Sequence, residues 1–182
     1  LAEHHYTAAL MGWLLSQEIK RAGGVVNERK VVLMLLIHDL SELFGGDIST
    51  PLNRKYPDLR QLKNQIGERA IAVLMDYLSP QAAGDFQSLW REQQEERSDE
   101  ALVVKIIDQM DHQFFLEYHN YRQRLNDGEY DHRPVIIKNH VVTLVAKIKH
   151  PTTRRVMKEF LDEFKHRFFN RGYQGMRILM EE

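Results

Sequence analysis

His38-Asp39 closes the apolar run Val31-Val32-Leu33-Met34-Leu35-Leu36-Ile37. A helix that is apolar on most sides should be buried. Burying an ionised Asp beside a His costs several kcal/mol unless something compensates. A bound cation is the usual compensation, since it pairs with the carboxylate and takes a lone pair from neutral imidazole. Glu42 follows three residues on, and then Gly45-Gly46-Asp47. This cluster of polar groups at the mouth of a buried helix reads as a reaction centre.

Two further polar residues interrupt apolar helical stripes elsewhere. Ala8, Met11 and Leu15 recur at helical spacing, and His4 continues their stripe inward. His5 is turned away by roughly 100°, from ~3.6 residues per turn. Asp108 lies within the face formed by Val103, Ile106, Ile107 and Met110, which Ala101 and Val104 widen. Each has a bland alternative: a core histidine bonded to a backbone carbonyl, and a Lys105–Asp108 pair one turn apart. Asp111 and His112 are less embedded and read as surface or outer-layer groups. Taken together, His4, His38, Asp39 and Asp108 offer four N/O ligands for one divalent cation, with room for one or two waters in an octahedral shell. These ligand types suit Mn²⁺, Co²⁺, Fe²⁺, Mg²⁺, Ni²⁺ or Zn²⁺ and do not choose among them.

The elements that must position these groups are helices nearly throughout. The periodicity predicts helices over about 3–22, 27–44, 59–78, 80–97, 98–126, 135–149 and 151–170, with no convincing strand. Asn27 is placed to cap the second helix and Gly45-Gly46 to end it. The prolines of Thr50-Pro51-Leu52-Asn53-Arg54-Lys55-Tyr56-Pro57 mark a loop. The expected architecture is one all-α domain of about seven helices spanning 1–182.

Composition narrows the function classes. Basic and acidic residues nearly cancel, 25 against 26, so charge gives no support to binding of a nucleic-acid polymer. With no cysteine there is no disulfide, thiolate metal site or cysteine nucleophile. No stretch approaches the roughly 20 apolar residues of a membrane span, and no signal peptide is visible, which points to a soluble, cytoplasmic protein. The chain starts at Leu1, already inside a helical pattern, so a preceding segment is expected. No HExxH zinc motif, phosphate loop or GxSxG elbow competes with the metal reading.

Ala2-Glu3-His4, then His38-Asp39-x-x-Glu42, then Gly46-Asp47 with Thr50-Pro51, and finally Lys105-x-x-Asp108 resemble the H…HD…D signature of the HD-domain metal-dependent phosphohydrolases. The closest likeness is to the branch holding the bacterial 5′-deoxynucleotidases and their HD-domain-containing relatives. The resemblance covers about residues 1–125. It implies that His4, His38, Asp39 and Asp108 bind the metal, that Glu42 orients or deprotonates the attacking water, and that Asp47 lines the site. The i+4 spacing from His38 agrees for Glu42, placing both on one helix face.

The chain departs from that pattern twice. In the relatives an Arg that grips phosphate usually lies upstream of the first histidine, and this chain starts too late to show one; His5 stands where Ser or Thr is common. Thr50, Arg54, Lys55 and Lys105 are the remaining candidates for contacting substrate. The implied reaction is phosphomonoester hydrolysis on a nucleoside 5′-monophosphate. The alternatives are a phosphodiesterase or nucleoside triphosphate phosphohydrolase of the same superfamily, with His112 and His119 serving a second metal, and a metal- and nucleotide-binding regulator without turnover. Phe114-Phe115, Tyr118 and Tyr121 read as core or dimer-interface aromatics, and Trp13 and Trp90 as packed between helices. A homodimer fits both the aromatic content and the resemblance.

Overall fold

The computed structural model describes residues 2–48, 52, 55–118 and 133–169 of the chain. Eight helices lie among them: α1 (Ala2–Arg21), α2 (Glu28–Ile37), the single turn α3 (Glu42–Gly45), α4 (Asp58–Met75), α5 (Pro80–Gln94), α6 (Asp99–Tyr118), α7 (Arg133–Lys147) and α8 (Pro151–Phe169). There is no strand among the described residues. The long helices fall where the 3.6-residue period puts them, and their starts follow local side-chain chemistry. Asn27 accepts the Lys30 N–H at 3.1 Å, Ser79 that of Ala82 at 3.4 Å and Ser98 that of Ala101 at 3.2 Å. Each bond satisfies an N–H that a helix start otherwise leaves orphaned.

Helices α1, α2 and α6 pack against one another, and α7 and α8 close the core from behind. Ala8, Leu15, Val31, Met34, Leu35, Val103, Ile106, Ile107, Leu144 and Met157 are buried together. Full burial of each large aliphatic side chain contributes roughly 1.5–3 kcal/mol, so this core fixes the three site-bearing helices in relative position. A smaller cluster of Ile37, Ile71 and Trp90 ties α4 and α5 to the end of α2.

The apolar run in α2 is not buried on all sides. Val31, Met34, Leu35 and Ile37 face inward, whereas Leu33 and Leu36 are exposed. Trp13 is also exposed, at 45 %, instead of packing between helices, while Trp90 is buried. The second helix is likewise shorter than its pattern, ending at Ile37 rather than at Phe44. The cause is local: His38 Nδ1 bonds the Leu35 carbonyl at 2.9 Å, the acceptor an unbroken helix would offer to Asp39 N–H. The backbone then tightens, with Leu40 N–H on Ile37, Glu42 N–H on Asp39 and Leu43 N–H on Leu40. Gly46, at φ +69°, turns the chain out of α3 in a conformation that side chains resist.

Within the segment expected to be a loop, Tyr56 N–H bonds the Leu52 carbonyl at 3.0 Å, a single helical turn. No helix among the described residues is long and apolar enough to cross a membrane.

Candidate metal centre

The first turn of α1, the turn after α2 and the middle of α6 meet at one end of the core. They bring His4, His38, Asp39 and Asp108 together, with one ligand atom from each within 4.8 Å of all the others. His4 Nε2 lies 3.0 Å from His38 Nε2, 3.5 Å from Asp108 Oδ1 and 3.7 Å from Asp39 Oδ2. His38 Nε2 is 3.3 Å from Asp39 Oδ2 and 3.5 Å from Asp108 Oδ1.

What lies behind these atoms explains why they face inward. His38 spends Nδ1 on the Leu35 carbonyl, and His4 spends Nδ1 on Asp111 Oδ2 at 2.7 Å. With each Nδ1–H donated, neutral rings present only Nε2 lone pairs to each other, an arrangement that repels unless a proton or metal ion lies between. Asp108 divides its oxygens: Oδ2 accepts from Lys105 Nζ at 2.7 Å, and Oδ1 faces the two histidines. The Lys105 pair and a ligand role for Asp108 are therefore compatible. Metal–ligand bonds of about 2.1 Å at angles between octahedral and tetrahedral separate neighbouring donors by about 3.0–3.4 Å. The separations of 3.0–3.7 Å measured from the two Nε2 atoms begin within this span and end a few tenths of an ångström above it, so small side-chain shifts let the donor set fit a divalent cation.

The electrostatics point the same way. Hydrogen bonds to Asp108 and Asp111 outweigh burial and push the pKa of His4 up to about 10. Burial opposes charge on His38, yet Asp108 and Asp39 raise its pKa above the usual value. Burial would raise Asp108, but Lys105 and the two histidines hold it well below the ordinary carboxylate range. This is a field that favours positive charge.

It has a consequence for cation binding. Without a metal ion, His4 is an imidazolium at neutral pH, because its pKa stands above ambient pH. A metal ion held at Nε2 would need the lone pair and would displace that proton, so apparent affinity should rise with pH. Titration calorimetry at pH 7.5 in buffers of different ionisation enthalpy should report about one proton released per ion bound. Release of none would contradict the assignment of His4.

Glu42 stands at the rim, outside the group of four. Because α2 ends at Ile37 and the backbone then tightens, Glu42 and His38 do not share one continuous α-helix as the i+4 spacing supposed. Burial, then the charges of Asp39 and Asp47, raise its pKa. Asp47 is exposed and pairs with Lys63. Lys55 is exposed, with Nζ 5.5 Å from the centre of the Tyr56 ring. Thr50, Arg54, His119 and Tyr121 lie outside the described residues. His112 is exposed on α6. His5 is outside the group of four, its ring centre 5.0 Å from that of His38 and its buried Nε2 without a hydrogen-bond partner.

Two residues join the site from outside the candidates named in the sequence. Of the two readings open for Asp111, surface or outer-layer group, its 2 % exposure and its bond to His4 favour the second. Its signal was the i, i+3 spacing from Asp108, which puts both acids on one face of α6. Lys63 bonds Glu42 across α3 and α4, and no local pattern marks such a contact. Asp111→Asn should weaken metal binding about 10–100-fold while leaving the four donors in place, as outer partners of ligating histidines typically do. Competition of wild type and variant for Zn²⁺ or Mn²⁺ against a chelating dye measures it; equal affinities would mean that Asp111 does not set the His4 ring.

Known proteins resemble this chain over most of its length. The model of the HD domain family matches residues 1–150. A 5′-deoxynucleotidase HDDC2 of Dictyostelium discoideum is 25% identical over 183 residues, covering 100% of this chain and 81% of its own length. A 5′-deoxynucleotidase of Vibrio vulnificus is 25% identical across 91% of this chain and 81% of its own. Among solved structures, a conserved hypothetical protein from Pyrococcus furiosus superposes with a TM-score of 0.63 at 23% identity, over 91% of this chain and 82% of that one. A predicted metal-dependent phosphohydrolase from Magnetospirillum magnetotacticum gives 0.57 at 23% identity, over 91% and 77%. These two likenesses speak for the fold. With the family model spanning most of its length, the chain belongs to the HD domain family.

Proposed function

We propose that this HD-domain protein is a divalent-metal-dependent phosphohydrolase that acts as a phosphomonoesterase on nucleoside 5′-monophosphates. The observation that carries the reading is the convergence of His4 Nε2, His38 Nε2, Asp39 and Asp108 Oδ1, with the half-buried carboxylate of Glu42 beside it. The substrate class draws on the relatives that are named 5′-deoxynucleotidases.

In this proposal His4, His38, Asp39 and Asp108 hold one divalent ion. When bound, such an ion withdraws charge from a phosphate oxygen and lowers the pKa of a water. Glu42 takes the proton of the attacking water as its oxygen bonds to phosphorus, and the nucleoside oxygen leaves, giving inorganic phosphate. The pKa of Glu42, raised first by burial, brings it nearer to neutrality, where a general base is most effective. Asp111 and the Leu35 carbonyl hold the imidazoles in the tautomer that presents Nε2. Lys105 neutralises part of the charge of Asp108.

The proposed setting is the cytoplasm, with which the cysteine-free sequence is consistent. A second copy of the chain is the proposed partner, supported by the exposed apolar positions Tyr6, Leu10, Trp13 and Leu14 along α1. Phosphate release from nucleoside mono-, di- and triphosphates, by chelated protein reloaded with Mn²⁺, Co²⁺ or Mg²⁺, tests the activity. The proposal expects metal-restored hydrolysis of monophosphates. Turnover confined to triphosphates or to phosphodiesters would replace it.

A further inference from the structure

Lys63 is absent from the family signature read in the sequence, yet it joins Glu42, whose carboxyl feels the charge of Asp39, to Asp47. Its Nζ donates to Glu42 Oε1 at 3.3 Å and pairs with Asp47 Oδ1. The acids belong to α3 and to the turn after it, and Lys63 belongs to α4. The two helices lie in close contact along one face of α4. A Cβ added at Gly45 would stand 2.7 Å from Ile66 Cγ2, and one added at Gly67 would stand 3.6 Å from Ser41 Cβ. Residues 63, 66 and 67 therefore meet α3 at i, i+3 and i+4 spacing.

We infer that Lys63 is a positioning residue for hydrolysis, bridging Glu42 and Asp47 so that Glu42 presents its second oxygen to the attacking water. The inference rests on the phosphohydrolase reading above. An ammonium offers three donors and accepts nothing. One goes to Glu42 and one to Asp47, which fixes the rotation of both carboxylates. Without it, two acids at the same rim repel each other, and Glu42 can turn its bonded oxygen away. Most exposed ion pairs contribute little to stability. This one is partly buried, the side chains of Lys63 and Glu42 being 35 % and 22 % exposed, and its effect is on geometry at a reacting group. A competing role, direct binding of the substrate phosphate by Lys63, would leave Glu42 unaffected.

Steady-state kinetics of wild type, Lys63→Met and Lys63→Arg, loaded with Mn²⁺ and assayed on the best nucleoside 5′-monophosphate, separates these roles. The methionine variant should lose about 10–100-fold in kcat, the scale of a misplaced catalytic group, with KM and Mn²⁺ affinity within about threefold of wild type. Arginine, which can also bridge two carboxylates, should recover most of the loss. A kcat for Lys63→Met within twofold of wild type, a defect confined to KM, or an arginine variant no better than methionine overturns the inference. A thermal-denaturation cycle over Lys63→Met and Glu42→Ala, which removes the acceptor, reads the contact without turnover. Lys63→Met should lower Tm less in the Glu42→Ala background than in wild type, and strictly additive shifts overturn the bridge. If wild type hydrolyses no phosphoester, the phosphohydrolase reading fails, and the cycle still decides whether Lys63 holds Glu42.

Discussion

Replacing Asp108 by Ala should abolish both divalent-metal binding and phosphoester turnover. Asp108 Oδ1 stands 3.5 Å from both His4 Nε2 and His38 Nε2, so its loss removes one of four donors. Its other oxygen accepts from Lys105 Nζ at 2.7 Å. Alanine therefore also leaves an ammonium beside two imidazoles with its main counter-charge gone. The field that favoured a cation weakens as well, because Asp108 supports positive charge on both rings. The combined loss should exceed the roughly 10–100-fold expected from removing an outer partner alone. The fold should survive, since alanine suits a helix and leaves no buried carboxylate to desolvate. Metal content after dialysis, phosphate release in metal-defined buffer and helical circular dichroism measure the three effects. Activity persisting in that buffer would mean that Asp108 is not part of the centre.

Glu42→Gln separates chemistry from metal binding. Glu42 lies outside the group of four, so the variant should bind metal within about threefold of wild type, like other changes made away from the ligands. It keeps the shape of the side chain and a hydrogen-bonding oxygen but cannot accept the water's proton. Loss of a general base typically lowers the rate ~10²–10⁴-fold, and that loss is expected in kcat. Burial and the charges of Asp39 and Asp47 raise the pKa of Glu42, so its ionised form is lost as pH falls through a value above the ordinary carboxylate range. Wild-type activity should fall on the acid side along with it. A variant with wild-type kcat, or one that has lost its metal, would show that Glu42 has another role.

The helical period and the cap at Asn27 depend on neighbours a few residues away, and they placed the long helices well. His4, His38, Asp39 and Asp108 stood out because each is a polar interruption at an apolar helix face, and the structure gathers all four. The errors share a cause as well. The periodic pattern runs through His38, but the His38 ring takes the Leu35 carbonyl and ends α2 there, an event no hydropathy pattern encodes. Leu33, Leu36 and Trp13 look like core residues by type, yet among the described residues all three are exposed. Asp111 reads equally as a surface or an outer-layer group, and its bond to His4, 107 positions earlier in the chain, decides for the second. Lys63 belongs with these, since its meaning arises wholly from α3 lying against α4.

The central claim is that four side chains from three separate parts of the chain hold one metal ion. The most direct measurement is a crystal structure of Mn²⁺-loaded protein with anomalous scattering recorded at the manganese edge. One peak is expected, within bonding distance of His4 Nε2, His38 Nε2, an Asp39 oxygen and Asp108 Oδ1, with Glu42 beside it and not coordinated. A peak elsewhere, or none at saturating Mn²⁺ with the four side chains turned apart, would contradict the account.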